Sequence, residues 1–212
     1  MVRVKICGIT KLEDARLSVE LGAHAIGLNF YEQSPRSITP AAAADIGDRV
    51  SPFVSIVGVF VNWEAAPVVA LCRALHLHAA QLHGDESPKT VDEVAEHIQV
   101  LKALRVGQGT PSSTYAQYRS AAGLLIDAAQ PGQFGGTGTL ANWHLARLVA
   151  QTHRVILAGG LTPENVAEAI RIVRPYAVDV ASGVEARPGR KDPAKLRAFF
   201  DEVARANRDL FS

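Results

Sequence analysis

Short apolar segments alternate with amphipathic segments along the whole 212-residue chain, and this alternation limits the folds that the chain can adopt. The apolar segments are rich in Val, Ile, Leu and Ala, which is typical of strands that are covered on both faces. Strands separated by helices predict a parallel sheet that is either doubly wound or closed into a barrel. The eight predicted strands are Val2–Cys7, His24–Phe30, Phe53–Phe60, His78–Leu82, Gln99–Leu104, Gly123–Asp127, Arg154–Ala158 and Ala177–Ala181.

The number and the even spacing of these units favour the closed form. A dominant nucleotide-binding fingerprint, which would point to a doubly wound sheet, is missing from the sequence. No linker or change of composition divides the chain. We therefore predict an α/β fold, a (β/α)8 TIM barrel, forming a single domain over residues 1–212.

The segments between the strands carry apolar residues three and four positions apart, which predicts amphipathic helices. Cys72 lies on such a face and is interpreted as a core residue. Gly22 follows the first helix as a C-cap glycine would. Thr10 and Glu13 have capping-box spacing, and Thr162-Pro163 predicts an N-cap followed by proline at the first helical position. The apolar faces are Leu12/Ala15/Val19, Val68/Val69/Cys72/Leu75, Val166/Ile170/Val173 and Leu196/Phe199/Phe200/Val203.

Charge and cysteine content narrow the function classes. The net charge of +1 argues against a broad nucleic-acid or membrane surface, although a local anion site needs only a few groups. Cys7 and Cys72 are too few for a disulfide framework or a Cys-rich zinc site. No histidine pair or Cys/His cluster has metal spacing, so we expect no metal. We expect neither a signal peptide nor a membrane-spanning segment, and we expect a cytoplasmic protein that is a monomer or a homodimer.

A barrel carries its chemistry at the C-terminal ends of its strands. Cys7 ends the first strand, with Lys5 two residues earlier on the same face. A thiol near a cation at a strand end is placed to be a thiolate, although most free cysteines are inert buried residues. The residues themselves leave both interpretations open.

Two further strand ends carry polar groups that suit binding or proton transfer. Arg36 lies in a loop stiffened by Pro35 and Pro40, where its guanidinium could bind a carboxylate or phosphate or remain a solvated surface group. His83 shares a face with Gln81 at the end of strand four. It could be a general acid, a base, a substrate donor or a structural residue.

The sixth strand ends in a carboxylate, Asp127, which is costly to bury unless it is hydrogen-bonded or functional. The following segment, Ala128–Thr139, contains four glycines and predicts a mobile lid. Its Gly135-Gly136-Thr137-Gly138 stretch matches neither a P-loop nor a dinucleotide fingerprint, so we do not predict nucleotide binding.

Glycine-containing turns follow the last two strands. Gly159 and Gly160 come after strand seven, and Ser182 and Gly183 come after strand eight. Barrels bind phosphate at these two turns, and the two together indicate a phosphate site. A phosphate site, a thiol, a carboxyl and no cofactor motif predict a cofactor-independent isomerisation of a small sugar phosphate.

Eight short stretches follow one another in a characteristic order: Lys5–Thr10, Gly27–Phe30, Ser34–Arg36, Gln81–Gly84, Gly135–Gly138, Ala158–Leu161, Asp179–Glu185 and Pro188–Asp192. Together they resemble the phosphoribosylanthranilate isomerase family of tryptophan biosynthesis along the whole length of the chain. The resemblance implies an Amadori rearrangement of N-(5'-phosphoribosyl)anthranilate to 1-(2-carboxyphenylamino)-1-deoxyribulose 5-phosphate. Ala181 departs from the family pattern, in which a serine is common, and Leu140-Ala141-Asn142-Trp143 departs from it after the lid.

The resemblance also implies roles for individual residues. Asp127 would be the general acid that opens the ring, and Cys7 the general base that removes the C2' proton. Arg36 would bind the anthranilate carboxylate, and His83 would lie beside the substrate. Lys5 is our hypothesis for the group that holds the Cys7 thiolate charged. The phosphate would bind at Gly159, Gly160, Ser182 and Gly183.

Two rival functions stay in view. The related isomerase of histidine biosynthesis is expected to use an aspartate at the end of the first strand, where this chain has Cys7. A non-catalytic phosphate-binding barrel would lack the acid or the base, yet both Cys7 and Asp127 are present.

Overall fold

A computed structural model describes residues 1–50, 52–106, 113–128 and 142–211. Eight parallel strands close into a barrel in sequence order, as predicted, and each predicted strand lies within two residues of the observed bounds at either end. The strands are β1 Arg3–Cys7, β2 Ala25–Asn29, β3 Ser55–Phe60, β4 Ala79–Leu82, β5 Gln99–Val106, β6 Gly123–Ala128, β7 Val155–Leu157 and β8 Ala177–Val180.

The first strand closes the barrel because it pairs on both of its edges. Lys5 lies opposite Ala25 of β2 on one side and opposite Asp179 of β8 on the other. The side chains of β1 alternate as the period of two requires: Val4 and Ile6 are buried toward the helices, whereas Lys5 and Cys7 point into the barrel.

Helices cover the outside of the barrel. The predicted apolar faces are buried: Val68, Ile170 and Leu196 have no exposed surface, and Cys72 is 1% exposed in the same layer, as expected for a core residue. The helices are α1 Leu12–Glu20, α2 Pro40–Gly47, α3 Ala65–Ala74, α4 Pro88–Ala95, α5 Ser113–Ala116, α6 Trp143–Ala150, α7 Val166–Val173 and α8 Pro193–Phe211.

The helix ends confirm one of three capping predictions. Gly22 follows α1 with a φ of +101°, and the N–H of Ala23 donates to the carbonyl of Ser18, which makes a Schellman motif. The Thr10 cap is wrong, because the Thr10 hydroxyl donates to the Gly189 carbonyl instead. The N-cap at Thr162 is also wrong: α7 begins at Val166, after a turn.

An unpredicted hairpin follows the barrel. A short 3-10 helix, Ser182–Val184, leads into β9 Glu185–Arg187, which pairs antiparallel with β10 Arg190–Lys191. The hairpin lies against the start of the chain, because the backbone N–H of Lys191 donates to the carboxylate of Asp14 in α1 at 3.0 Å.

The predicted lid, Ala128–Thr139, lies outside the described residues except for the backbone of Ala128. No helix in the described ranges has the length and hydropathy needed to cross a membrane.

Candidate active site

One cavity of about 370 Å³ opens at the C-terminal ends of the barrel strands. Every residue that the sequence predicted for the site lines this cavity, although those residues come from six different strand ends or loops. They are Cys7, Arg36, His83, Asp127, Gly159, Gly160, Ser182 and Gly183.

The Cys7 thiol lies half-buried at the end of β1, with the Lys5 ammonium beneath it on the same face. The Lys5 ammonium is 2.9 Å from a carboxylate oxygen of Asp179 on β8, and both side chains are buried. Gly27 of β2 leaves the room that this arrangement needs. A Cβ atom there would lie 2.8 Å from Cys7 Sγ and 3.1 Å from Lys5 Nζ.

Opposing influences act on the Cys7 thiol. Burial raises the pKa of the Cys7 thiol and Asp179 raises it further, so the pKa lies above its ordinary value although Lys5 and Lys191 lower it. Lys5 therefore acts in the direction that we hypothesised, against a larger effect of burial. Burial alone lowers the pKa of Lys5, but Asp179 and Cys7 outweigh it and raise that pKa.

The second cysteine provides a contrast. Burial raises the pKa of the Cys72 thiol to about 12, and no neighbouring cation acts on that pKa. Only Cys7 has cations beside it that favour the thiolate form, so the two thiols differ in the way that the sequence analysis supposed.

A hydrogen-bonded chain joins β4 to β6 at the cavity wall. Nε2 of His83 lies 3.2 Å from Oδ2 of Asp127, and Nδ1 of His83 lies 2.7 Å from the side-chain nitrogen of Gln81. Gln81 is fully buried and Asp127 is 4% exposed. If the Gln81 amide donates to Nδ1, the neutral imidazole carries its proton on Nε2 and donates it to Asp127.

Arg36 already holds a carboxylate from its own chain. Its Nη2 donates to Oε2 of Glu185 at 2.8 Å, and its Nε donates to Oε1 at 3.0 Å, which is the fork geometry that suits a guanidinium. The loop is fixed by Ser34, whose hydroxyl oxygen accepts hydrogen bonds from the Arg36 backbone N–H and from the side chain of Asn29. Burial raises the pKa of Glu185, but Arg36 and Lys191 outweigh it and lower that pKa.

The two glycine-containing turns after β7 and β8 lie against each other. A Cβ atom at Gly183 would come within 1.8 Å of the carbonyl oxygen of Leu161, so only glycine fits at this contact. Gly159 and Gly160 both have positive φ, +82° and +65°. The backbone therefore forms a fixed concave surface where the sequence predicted a phosphate site.

The sequence analysis missed four residues that shape the site: Asp179, Gln81, Glu185 and Lys191. Asp179 could have been found from the sequence, because it is a charged residue inside an apolar strand. Once the barrel is assumed to close, β8 lies beside β1, and Asp179 is then expected to pair with Lys5. Gln81 was noticed but was given no role. Glu185 and Lys191 lie in the hairpin, whose short strands have no periodic pattern.

In the described part of the chain, no group of three His, Cys, Asp or Glu side chains is placed to hold a metal ion. Of the Leu140–Trp143 stretch, the structure describes Asn142 and Trp143. The Asn142 side chain accepts a hydrogen bond from the backbone N–H of Leu145 and caps α6.

Comparison with known proteins gives consistent matches over almost the entire length. A family model for N-(5'phosphoribosyl)anthranilate (PRA) isomerase matches residues 4–202. The N-(5'-phosphoribosyl)anthranilate isomerase of Trichlorobacter lovleyi is 50% identical over 207 residues, which cover 97% of this chain and 100% of that protein.

Solved structures agree. The phosphoribosyl anthranilate isomerase of Thermotoga maritima superposes with a TM-score of 0.89 at 44% identity, covering 96% of this chain and 99% of its own. A phosphoribosyl anthranilate isomerase in complex with reduced 1-(o-carboxyphenylamino)-1-deoxyribulose 5-phosphate superposes with a TM-score of 0.86 at 42% identity, with the same coverage. The chain belongs to the N-(5'-phosphoribosyl)anthranilate isomerase family of tryptophan biosynthesis.

Proposed function

We propose that this chain converts N-(5'-phosphoribosyl)anthranilate to 1-(2-carboxyphenylamino)-1-deoxyribulose 5-phosphate with Asp127 as general acid and Cys7 as general base. The observation that carries the assignment is the single cavity that Cys7 and Asp127 line together with Arg36 and the two glycine-containing turns. The cavity thus combines two proton-transfer groups with sites for both anionic ends of the substrate.

The first step is ring opening. Protonated Asp127 gives its proton to the furanose ring oxygen, the bond between that oxygen and C1' breaks, and the amine nitrogen forms a positively charged Schiff base. His83 lies within hydrogen-bond distance of Asp127 and orients the carboxyl toward the cavity. The protein provides a proton donor at a buried position, where the breaking bond would otherwise place negative charge on oxygen.

The second step removes the C2' proton. The Schiff base withdraws electrons from C2', and its positive charge adds to those of Lys5 and Lys191 near the thiol. All three charges favour the thiolate and oppose the effect of burial on the pKa of Cys7. The thiolate takes the proton, and the resulting enamine becomes the ketone by tautomerisation. Exchange with water then returns the acid and the base to their starting states.

Anchoring at both ends of the substrate would hold C2' near Cys7. The phosphate is assigned to the turns at Gly159, Gly160, Ser182 and Gly183, and the anthranilate carboxylate is assigned to Arg36. The isomerase solved with a reduced carboxyphenylamino deoxyribulose phosphate supports a ligand that carries both anions. The rival isomerase of histidine biosynthesis is not favoured, because a thiol and not a carboxylate ends β1.

Substrate fluorescence during turnover tests the assignment. We expect Cys7→Ser and Asp127→Asn each to lower kcat by about 10²-fold or more, because each removes a proton-transfer group. Cys72→Ser is the matched control: it changes a cysteine outside the cavity, and its kcat should stay near that of the unmodified protein. Normal turnover in Asp127→Asn would refute the acid, and no turnover in the unmodified protein would refute the function.

The proposal also covers organisation and location. The pairing of β1 with β8 supports one domain over residues 1–212. A monomer or a homodimer is proposed, and the isomerase of Thermotoga maritima is described as dimeric. Light scattering coupled to size-exclusion chromatography measures the oligomeric state.

We propose a cytoplasmic location because a catalytic thiol must stay reduced, and Cys7 and Cys72 are both free.

A further inference from the structure

The segment Pro188–Asp192 is one of the stretches that resemble the family, and no role was predicted for it. In the structure, this segment contributes one buried side chain to the region of the site, Lys191, whose ammonium reaches back across 184 positions of the chain to the carbonyl oxygen of Cys7 at 2.7 Å. Lys191 is 2% exposed and does not line the cavity itself.

The contacts of Lys191 require it to be charged. Its Nζ donates to the carbonyl oxygens of Cys7 and Ala181, at 2.7 and 3.1 Å, and to Oε1 of Glu185 at 2.9 Å. A neutral amine has only two hydrogens to donate, whereas an ammonium has three. Burial lowers the pKa of Lys191 below its ordinary value of 10.5, and the Glu185 carboxylate opposes that change.

Glu185 connects Lys191 to Arg36. Its carboxylate accepts from two nitrogens of Arg36, from Lys191 and from the backbone N–H of Gly189, all within 3.3 Å. Two cations and one anion leave this trio with one positive charge. Two further carboxylates contact the hairpin without contacting the Lys191 ammonium: Asp14 accepts from the backbone N–H of Lys191, and Glu13 pairs with Arg190.

We propose that Lys191 and Glu185 are specificity-determining positioning residues for the substrate carboxylate. Glu185 holds the Arg36 guanidinium in place, and Lys191 balances the charge of Glu185 so that Arg36 keeps its attraction for a second carboxylate. The proposal rests on the proposed function, in which Arg36 binds the anthranilate carboxylate.

The charge balance explains why a single ion pair would not suffice. Arg36 paired with Glu185 alone would be neutral, and an incoming carboxylate would then place two buried anions against one cation. Unbalanced buried charge is strongly unfavourable. With Lys191 in place, the bound carboxylate brings the group to neutrality.

The test uses two ligands that differ only in the carboxylate. One is reduced 1-(o-carboxyphenylamino)-1-deoxyribulose 5-phosphate, and the other is its phenylamino analogue without that group. Calorimetry gives the Kd of each, and the ratio of the two Kd values measures carboxylate recognition. In the unmodified protein we expect the carboxylate to improve binding by about tenfold or more.

The variants separate charge balance from a merely structural role. Lys191→Met should bring the ratio to within about twofold of one, because the remaining pair is neutral. The double variant Glu185→Gln with Lys191→Met removes one charge of each sign and should restore the ratio to within about threefold of the unmodified value. The double variant also leaves no unpaired buried carboxylate. It can therefore still be used to test the proposal if Lys191→Met alone does not fold.

Each outcome decides the proposal. An unchanged ratio in Lys191→Met, or a ratio near one in the double variant, would overturn it. Arg36→Met is the control for the underlying function. If Arg36→Met keeps the full ratio, the carboxylate assignment of Arg36 is wrong. If Arg36→Met loses the ratio while Lys191→Met keeps it, only the charge balance fails.

Discussion

Two buried lysine–carboxylate pairs of almost equal length occupy opposite faces of the sheet. Lys5 and Asp179 lie 2.9 Å apart inside the barrel, and Lys102 and Glu86 lie 2.8 Å apart on the side of the helices. Asp179 lines the cavity, whereas neither member of the outer pair does. Burial, distance and chemical type are nearly the same, so the difference between the pairs lies in what surrounds them.

The outer pair holds the backbone. Lys102 Nζ donates to the carbonyl oxygens of Leu82 and Gly84 as well as to Glu86, and the Glu86 carboxylate accepts from the backbone N–H of Asn62 and Gly84. The group therefore fixes the turn after β4 that carries His83. The inner pair lies against the Cys7 thiol, and its two charges act on the pKa of that thiol. The same type of ion pair thus holds the backbone in one place and acts on the pKa of a neighbouring group in the other.

The largest expected effect comes from Lys102→Met. It leaves Glu86 buried without its cation, which should lower the free energy of unfolding by about 3–5 kcal/mol. Urea unfolding measures this loss. The folded fraction should lose much less kcat than Cys7→Ser or Asp127→Asn, because the outer pair reaches the cavity only through the turn that carries His83. Recovery of stability in Glu86→Gln with Lys102→Met would identify the unpaired charge as the cause, and a large fall in kcat at full stability would break the comparison.

Next in size is Gly27→Ala, which intrudes on the inner cluster. The added methyl would lie 2.8 Å from Cys7 Sγ, so the thiol must move, at a cost of about 1–3 kcal/mol. We expect both unfolding free energy and kcat to fall. Gly47→Ala is the matched control, since its Cβ would meet Ile56 at an ordinary 3.6 Å. Equal effects of the two variants on kcat would contradict the crowding at Cys7.

The smallest expected effect is also the most specific. Lys5 lowers the pKa of the Cys7 thiol, so Lys5→Met should raise that pKa. The rate of alkylation by iodoacetamide, followed against pH, measures the change. At neutral pH the rate should fall, because a smaller fraction of the thiol is ionised. Lys102→Met should leave the profile in place, and a profile that does not move in Lys5→Met would remove the distinction between the pairs.

The fold and the position of the predicted site residues at one cavity could be predicted because both depend on local pattern. Each strand is rich in Val, Ile, Leu or Ala, and each predicted site residue lies at the end of a strand or in the loop that follows it. Cys7 and Asp127 reach one cavity as soon as the barrel closes. A residue at the C-terminal end of a barrel strand can therefore be assigned to the mouth without its partners being known.

The hydrogen-bond and ion-pair partners of these residues were harder to predict, because the partners lie far away in the sequence. Arg36 was interpreted as a group that could bind an anionic substrate. Its hydrogen-bond partner within the chain, Glu185, lies 149 positions later and was not predicted. The Thr10 cap failed for the same reason: the hydroxyl finds a carbonyl in the hairpin, at Gly189, in place of its own helix. The raised pKa of Cys7 depends on burial and on Asp179, neither of which a short motif reports.

These long separations have a consequence for how the protein becomes active as it is synthesised. Lys5 pairs with Asp179, which lies 174 positions later in the chain. The carbonyl oxygen of Cys7 accepts from Lys191, 184 positions later, and the backbone N–H of Val2 donates to the side chain of Asn207. A chain emerging from the ribosome carries Cys7 first and completes the surroundings of its thiol last. Truncated products that lack the final fifth of the chain should therefore contain Cys7 in a solvent-exposed, unpartnered form, open to oxidation and without activity.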